Sequence, residues 1–228
     1  MCRMFGMAAE APTSPRQLLC DAPGSLRTLS VEHCDGWGVA IHDAGDWLIE
    51  RSTSCAAASE RYAEVARTET RLLIAHIRKK TVGPSSLANT HPFHRDGMVF
   101  AHNGTLPDVS ALTARTAPEQ LARIEGDTDS ERLFAFLLTQ IAAARDVAHG
   151  VATAVRTLRS LGDLGPATFL LSCGTQLYAH RAGRSLFTLA RDGAMMVASE
   201  PLTDERWLEV PDQSLVVLDT MSVHAIAA

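Results

Sequence analysis

Short apolar runs separated by turn-forming residues dominate the chain, a pattern typical of β-strands. Gly, Asp, Asn or Pro bounds most of these runs, as tight turns require. Several runs are apolar on both faces, so we expect sheets that are covered on both sides. The predicted strands cover 3–9, 35–43, 46–52, 71–78, 97–104, 167–173, 176–182, 185–190, 194–200 and 214–220.

Segments with helix-forming residues interrupt the strands. Thr128, with Glu131 three positions later, has the capping-box pattern that begins a helix. The last helical segment carries an apolar stripe and ends at Gly162, a residue type that commonly terminates helices. The predicted helices cover 56–71, 116–124, 128–146 and 147–162.

The order of these elements is strands, helix, strands, two helices, strands, which is not the strict alternation of a doubly wound fold. It predicts an α+β fold of two stacked, mainly antiparallel sheets with helices outside. We find no internal repeat, low-complexity tract or long polar linker, so we expect one domain over 2–228.

Composition excludes several classes of protein. The 228 residues are 46% hydrophobic and 21% charged, as in ordinary globular proteins, and the formal net charge of −5 disfavours non-specific nucleic-acid binding. No apolar run approaches the roughly 18 residues that span a bilayer, and the N-terminus lacks the apolar region of a secretion signal. We therefore expect no nucleic-acid or membrane partner.

The cysteines are odd in number and widely spaced, without a C-x-x-C motif. This spacing predicts neither a disulfide framework nor a zinc ribbon. A reducing cytoplasm fits best, and it would also keep a catalytic thiol reduced. The five cysteines are Cys2, Cys20, Cys34, Cys55 and Cys173.

The chain begins MCRMFGMAAE, with a cysteine directly after the initiator methionine. If Met1 is removed, Cys2 carries both a thiol and a free α-amine. A thiol attacks as thiolate and has an ordinary pKa of about 8.5, while an α-amine titrates at about 7.7–8.0 and can accept the proton. Cys2 is therefore a candidate N-terminal nucleophile. The alternative is a small residue without function at a frayed position.

A strand-like run brings an arginine to the start of a loop in LLIAHIRKKTVG (72–83). The guanidinium of Arg78 can bind a carboxylate through two parallel hydrogen bonds, and Thr81 lies in the loop that follows. The alternative is a strand-edge arginine in a surface ion pair, which contributes little to stability.

The segment NTHPFHRDGMVFAHNGTL (89–106) places Asn103 and Gly104 between apolar runs, a local pattern that predicts a tight hairpin turn. The functional alternative is an oxyanion hole formed by Asn103 and the Gly104 N–H, where one donor contributes about 2.7–4 kcal/mol in the transition state. The spacing of His91 and His94 is compatible with metal binding. However, Pro92 breaks helical spacing and no acidic partner completes a zinc set, so we expect no metal and no cofactor.

Two acidic residues flank Thr128 in GDTDSERL (126–133), at a predicted helix start. One capping residue suffices, so one carboxylate is spare. The spare carboxylate, Asp129 in particular, can bind a substrate ammonium group. The alternative is a helix cap with a favourable dipole interaction.

Two glycines flank Trp37 in CDGWGVA (34–40). The segment lacks the third glycine and the helix of a dinucleotide-binding loop. Close backbone packing beside an active site and a simple β-bulge are both compatible with it.

The motifs MC, DGWG, AHIR followed by NTHPF, AHNG and TDSE occur in this order along the chain. The combination resembles the class II (type 2) glutamine amidotransferases, which are N-terminal-nucleophile hydrolases. It is most similar to the small stand-alone branch that includes the ergothioneine-pathway γ-glutamyl hydrolases. The segment VASEPLTDERWLEVPDQSLV (197–216) is similar to the C-terminal segment of that branch. The resemblance implies a four-layer αββα sandwich.

The resemblance also implies a role for each residue that matches a motif. Cys2 would be the nucleophile, with its α-amine as the base, and Asn103 and Gly104 would form the oxyanion hole. Arg78 would hold the α-carboxylate of the substrate and Asp129 its α-ammonium group. Thr81 and His91 would lie in the substrate shell.

The implied function is hydrolysis of the side-chain amide of glutamine or a γ-glutamyl compound through a Cys2 thioester. Two other hypotheses stay open. The chain could be a glutaminase subunit that supplies ammonia to a separate synthase, since no synthase domain is present. It could also be a catalytically silent module that binds glutamine or glutamate, which retention of Met1 would favour.

Overall fold

The computed structural model describes residues 2–219 and 222–227, and its strands form two antiparallel sheets. Met1, whose removal would free the α-amine of Cys2, and Thr220, the last residue of a predicted strand, lie outside these residues. The strands are β1 (Arg3–Thr13), β2 (Trp37–Asp43), β3 (Asp46–Ser52), β4 (Thr70–Ile77), β5 (Phe93–Arg95), β6 (Met98–Gly104), β7 (Ala167–Ser172), β8 (Leu177–Arg181), β9 (Phe187–Arg191), β10 (Ala194–Ala198), β11 (Leu208–Glu209), β12 (Ser214–Leu218) and β13 (Val223–Ile226).

The first sheet has seven strands in the order β11-β9-β10-β1-β4-β2-β3, and the second has six in the order β13-β12-β8-β7-β6-β5. The N-terminal strand β1 therefore lies inside the first sheet, between β10 and β4. Strand β6 lies inside the second sheet, between β5 and β7.

Helices cover the outer faces of both sheets. A π-helical turn at Gln17–Asp21 and a 3₁₀ turn at Ala56–Ala58 accompany the α-helices. The α-helices of the described residues are α1 (Leu26–Leu29), α2 (Glu60–Val65), α3 (Ser110–Thr113), α4 (Pro118–Leu121), α5 (Asp129–Ala142) and α6 (Val147–Ser160).

Three hydrophobic clusters hold the layers together. Alternate side chains of β1 and β4, such as Met4 and Ile74, pack between the sheets against residues such as Leu170. The opposite side chains of the first sheet pack against the short helical elements through Tyr62 and others. The outer face of the second sheet packs against α5 and α6 through residues such as Phe134. The result is the predicted four-layer αββα sandwich.

The predicted helix over 56–71 is too long, because the structure forms only the 3₁₀ turn and α2 there. Ser59 begins α2 by accepting a hydrogen bond from the Tyr62 N–H at 3.1 Å. Strand β4 already begins at Thr70, where the side chain accepts a hydrogen bond from the Leu72 N–H. Thr70 pairs with Thr13 of β1, so the last residues of the predicted helix belong to the sheet.

The other predicted helices are also shorter in the structure. Helix α5 ends at Ala142 rather than 146, because Asp146 caps α6 by accepting a hydrogen bond from the His149 N–H at 2.7 Å. Helix α6 ends at Ser160, and the segment 116–124 forms only the single turn of α4.

The sequence predicts no disulfide framework, but Cys34 and Cys55 do form one disulfide, with their Cα atoms 4.4 Å apart. Cys34 precedes β2 and Cys55 follows β3. These two strands pair antiparallel with Trp37 opposite Ser52, so the open end of the hairpin brings the cysteines together. Cys2, Cys20 and Cys173 are free.

Among residues 2–219 and 222–227, no helix combines the length and the apolar composition needed to cross a bilayer.

Candidate active site

Four elements meet at one end of the sandwich: the start of β1, the end of β4, the end of β6 and the start of α5. They enclose a small cavity that contains six of the seven predicted site residues. The residues that line it are Cys2, Arg78, Lys79, Thr81, Val82, Asn89, His91, His102, Gly104, Thr128, Asp129 and Ser130. Asn103, the seventh predicted residue, precedes Gly104 in β6.

Cys2 contacts the main chain that follows β4. Its Sγ accepts a hydrogen bond from the Lys79 N–H at 3.4 Å and lies 3.5 Å from the Lys79 carbonyl oxygen, to which the thiol can donate. Burial raises the pKa of the Cys2 thiol, and the Lys79 N–H and the charges of Arg78 and Arg3 offset only part of this rise. The sulfur is therefore a protonated thiol at neutral pH and needs a base before it can attack.

Arg78 is buried at the end of β4, where Asp35 and Gly36 hold its main chain. Its N–H donates to the Gly36 carbonyl at 2.8 Å, and its carbonyl accepts from the Asp35 N–H at 3.2 Å. The Asp35 carboxylate also accepts a hydrogen bond from the Lys80 N–H at 2.9 Å. The DGWG motif thus supports the backbone that contacts the Cys2 sulfur.

The guanidinium of Arg78 donates to two carbonyls of the following loop, those of Val82 and Pro84, each at 3.0 Å. Each terminal nitrogen has a second N–H that these bonds do not use. The cavity has a volume of only about 20 Å³, enough for one water molecule. An amino-acid substrate needs more room than this cavity has.

Close backbone packing explains a glycine of the DGWG motif. A Cβ at Gly38 would collide with the His91 carbonyl and lie 2.9 Å from both Arg51 Cγ and Pro92 Cδ. The pairing of β2 with β3 is regular through this position, so the structure favours close packing over a β-bulge.

Asn103 and Gly104 are strand residues, so the predicted hairpin turn is wrong. They end β6, where Asn103 lies opposite Thr168 and Gly104 lies opposite Ala167 in β7. A Cβ at Gly104 would collide with the Pro166 carbonyl and lie 2.5 Å from His102 Nε2. Asn103 is buried and alternates with His102, which contacts α5. The Asn103 side chain therefore points toward the layer between the sheets.

Asp129 is buried in the first turn of α5, and Thr128 caps this helix by accepting the Glu131 N–H at 3.4 Å. Asp129 Oδ2 accepts a hydrogen bond from the Leu106 N–H at 2.7 Å, which ties the loop after β6 to the helix. This carboxylate is therefore not used in the cap, as the sequence predicts.

The predicted capping box is only half formed. Glu131 does not return to Thr128 but accepts hydrogen bonds from the Glu125 and Gly126 N–H groups at 3.0 and 2.7 Å. It also forms a buried ion pair with Arg95, with Nη2 and Oε1 3.0 Å apart.

Thr81 and His91 lie on the cavity wall. Thr81 Oγ1 is 3.3 Å from Thr105 Oγ1. His91 is buried, and its ring centroid lies 4.4 Å from that of His76. Burial lowers the pKa of His91 well below its ordinary value and that of His76 to about 3, so both rings are neutral at physiological pH. Neither ring nitrogen of His91 has a hydrogen-bond partner among the described residues.

The sequence profile of the class-II glutamine amidotransferases matches residues 1–193. The chain belongs to the class-II glutamine amidotransferases. This confirms the resemblance that the motif order indicates. It also confirms the predicted type of enzyme, a glutamine amidotransferase.

Relatives support this assignment over the whole chain. A γ-glutamyl-hercynylcysteine sulfoxide hydrolase of Mycobacterium tuberculosis is 30% identical over 242 residues, which cover 100% of this chain and 97% of that protein. A putative glutamine amidotransferase of Haemophilus influenzae is 29% identical over 192 residues. That match covers 79% of this chain and 63% of the relative, so part of the relative has no counterpart here.

The fold of this amidotransferase also occurs in a solved structure. A glutamine aminotransferase class-II domain protein from Silicibacter pomeroyi superimposes with a TM-score of 0.73 at 22% identity. The match covers 99% of this chain and 98% of the other. The two chains therefore share the fold.

Sequence reasoning missed several residues at the site of this amidotransferase. His102 Nδ1 lies 2.9 Å from Ser130 Oγ, which joins β6 to α5. Asn89 donates to the Pro84 carbonyl at 3.1 Å and accepts the Asp127 N–H at 2.8 Å, which fixes the base of the loop after Arg78. All of these residues lie inside or beside the quoted motifs. Their position next to a motif is the sequence feature that could have identified them as site residues.

In the part of the chain that the structure describes, no three or more His, Cys, Asp or Glu side chains are grouped so that they could hold a metal ion.

Proposed function

We propose that Cys2 is the nucleophile of this amidotransferase, that Met1 is removed, and that the whole chain from 2 to 228 acts as one catalytic domain. One observation carries the proposal. The cavity contains Cys2 together with candidate binding groups of both charges, the Arg78 guanidinium and the Asp129 carboxylate. These groups come from distant parts of the sequence.

The reaction begins with attack of the Cys2 thiolate on the carbonyl carbon of a γ-glutamyl amide. The resulting oxyanion accepts hydrogen bonds from the Asn103 side chain and the Gly104 N–H. The C–N bond then breaks, the amine leaves with a proton, and water hydrolyses the thioester to release glutamate. Asn103 and Gly104 act together because both end the same strand.

The α-amine of Cys2 is the base in this mechanism. Burial raises the pKa of the thiol, so few molecules carry a thiolate unless a nearby group takes the proton. An α-amine with a pKa of about 7.7–8.0 is a suitable acceptor near neutral pH. Retained Met1 would convert this amine into an amide and remove the base.

Arg78 and Asp129 bind the amino-acid head group in this proposal, and Thr81 and His91 form the adjacent wall. When the loop containing Val82 and Pro84 moves, the Arg78 guanidinium becomes free for an α-carboxylate. The Asp129 carboxylate uses Oδ2 for the Leu106 N–H, so Oδ1 is the oxygen that we assign to the α-ammonium group. Binding both charged groups of the substrate holds its reacting carbon beside the Cys2 sulfur.

The leaving group is the amine of a γ-glutamyl compound or ammonia from glutamine. The full-length match to a protein named a γ-glutamyl-hercynylcysteine sulfoxide hydrolase favours a stand-alone hydrolase of γ-glutamyl compounds. The second candidate is a glutaminase that supplies ammonia to a separate synthase. We place either activity in the cytoplasm, because the Cys2 thiol must stay reduced, and the Cys34–Cys55 disulfide is then an exception to the rarity of disulfides there.

A panel of glutamine and γ-glutamyl amides, with glutamate release as the readout, tests the proposal. Intact mass should first show that Met1 is missing. Cys2→Ala should abolish glutamate release, and Cys173→Ala, which removes a free thiol remote from the cavity, should leave it unchanged. Activity in Cys2→Ala would contradict the proposal. Turnover that rises only when a synthase is added would favour the second candidate.

A further inference from the structure

The backbone of β1 loses main-chain pairing on one side just before it reaches Cys2. On the β4 side, pairing extends to Arg3 opposite Ile77. On the β10 side, the ladder ends at Phe5 opposite Ala198. A strand end paired on one side only tends to fray, and a nucleophile at that end would lose its geometry.

Two consecutive residues after β10 continue the contact toward Cys2. Ser199 donates its N–H to the Met4 carbonyl at 3.1 Å, and its Oγ accepts the Met4 N–H at 3.2 Å. Glu200 then forms an ion pair with Arg3, with Oε1 and Nε 2.5 Å apart. One main-chain hydrogen bond and two side-chain contacts thus extend the edge of β1 beyond the end of its ladder with β10.

The Arg3 guanidinium also reaches the nucleophile itself. Its Nη1 donates a hydrogen bond to the Cys2 carbonyl at 3.2 Å. One rigid planar group therefore joins the Glu200 carboxylate to the main chain of Cys2, and both side chains are partly buried, with exposed fractions of 19% and 31%. The Cys2 sulfur is held separately by Lys79.

We propose that Arg3 and Glu200 are positioning residues for the nucleophile: Glu200 orients the Arg3 guanidinium, which fixes the carbonyl of Cys2. This inference rests on the proposed role of Cys2. The carbonyl of Cys2 is held on one side and its sulfur on the other, so rotation about the Cα–C and Cα–Cβ bonds is restricted. The thiol and the amine then stay within reach of each other and of the substrate.

A different ion pair provides a matched control. Arg61 and Glu50 have the same 2.5 Å separation between Nη2 and Oε1, but they lie on α2 and β3 and contact none of the cavity residues named above. Glu50→Gln should therefore remove an ion pair with the same N···O distance without affecting the reaction.

The test compares steady-state kinetics of glutamine hydrolysis in Glu200→Gln, Arg3→Lys and Glu50→Gln. Glu200→Gln and Arg3→Lys should lower kcat about 10- to 100-fold and change KM less than about threefold, because the nucleophile is misplaced while the head-group contacts stay. Lysine keeps the charge but cannot bind the carboxylate and the carbonyl in one plane. Glu50→Gln should have the same kcat as the unsubstituted protein.

The charge-swapped double variant Arg3→Glu, Glu200→Arg separates positioning from simple stabilisation. It restores an ion pair, so the Tm should recover relative to Glu200→Gln. Its kcat should stay low, because a glutamate at position 3 has no N–H to donate to the Cys2 carbonyl.

Recovery of kcat in the swapped variant, or full kcat in both Glu200→Gln and Arg3→Lys, would overturn the inference. The Cys2→Ala variant in the same assay distinguishes the two levels of the account. If it is active, the proposed function fails; if it is inactive while Glu200→Gln and Arg3→Lys are fully active, only the positioning role fails.

Discussion

Helices α5 and α6 begin in similar ways but differ in what their first turns do. Both span 14 residues, and both have a side-chain cap, Thr128 for α5 and Asp146 for α6. After the cap, α6 continues with Val147 and Ala148, whereas α5 continues with Asp129 and Ser130. The third position is an exposed histidine in α6 and a buried glutamate in α5.

The difference shows what polar residues beyond a cap are used for. In α5, Asp129 bonds to the Leu106 N–H, Ser130 contacts His102, and Glu131 pairs with Arg95. None of these three side chains satisfies an N–H of its own helix in these contacts. Burying polar groups is costly unless each has a partner, so a buried polar first turn implies a role in joining elements or in binding. We assign the joining role to Ser130 and Glu131 and the binding role to Asp129.

The largest expected effect is on stability, at the third position of each helix. Glu131→Ala should lower the free energy of unfolding by about 3–5 kcal/mol, because it leaves the buried Arg95 charge without its partner. His149→Ala, at the matching exposed position of α6, should change it little. Urea unfolding of the two variants measures the difference. Equal stabilities would contradict the assigned role of Glu131.

The next effect concerns the first position of α5. Asp129→Asn should lower kcat/KM about 100-fold, mainly through a higher KM, because an amide cannot pair with a substrate ammonium group. The variant keeps an oxygen for the Leu106 N–H, so its Tm should change little. Steady-state kinetics with glutamine measure this. An unchanged KM would show that Asp129 does not bind the substrate.

His102, which contacts the first turn of α5 through Ser130, should lower stability in acid. Burial lowers the pKa of His102 below its ordinary 6.5, despite the opposing charge of Asp129. Below about pH 6.5 the unfolded chain therefore binds a proton that the folded chain does not. Stability is then lost as the pH falls toward the folded-state pKa, by at most about 1.4 kcal/mol per pH unit for this residue.

Replacing His102 by asparagine and measuring unfolding between pH 7 and pH 5 tests this contribution. His102→Asn should make the pH dependence less steep. An equally steep curve in His102→Asn would mean that His102 does not contribute to acid destabilisation.

The smallest effects are expected at the caps themselves. Thr128→Ala should destabilise the protein by about 1 kcal/mol, the usual contribution of such a cap. Asp146→Ala should also lower the Tm, because the His149 N–H loses its acceptor. The two variants should differ in activity, because Thr128 lines the cavity and neighbours Asp129. Thr128→Ala should therefore lower kcat/KM, and Asp146→Ala should not.

The features that depended on local sequence were predictable. The order of motifs indicated the family and seven site residues, six of which line the cavity. The strand and helix positions were mostly visible in the apolar pattern. The spare carboxylate at Asp129 was visible because Thr128 already supplies the cap.

The features that depended on distant partners were not predictable from local pattern. Glu131 fits a capping box, but its partner Arg95 lies 36 positions away. The local sequence of Asn103 and Gly104 fits a hairpin turn, but in the structure both residues pair with β7. Cys34 and Cys55 meet only because β2 and β3 form a hairpin. In each case a tertiary contact overrides a local preference.

The central claim is that processed Cys2 is the nucleophile, and covalent labelling tests it most directly. A glutamine analogue in which a diazoketone replaces the side-chain amide alkylates a nucleophile that lies beside the bound side-chain carbonyl. Peptide mapping by mass spectrometry should find one adduct, on an N-terminal peptide that begins with Cys2, and excess glutamine should slow its formation. Labelling at Cys20 or Cys173 instead, or labelling of Cys2 in chains that retain Met1, would contradict the account.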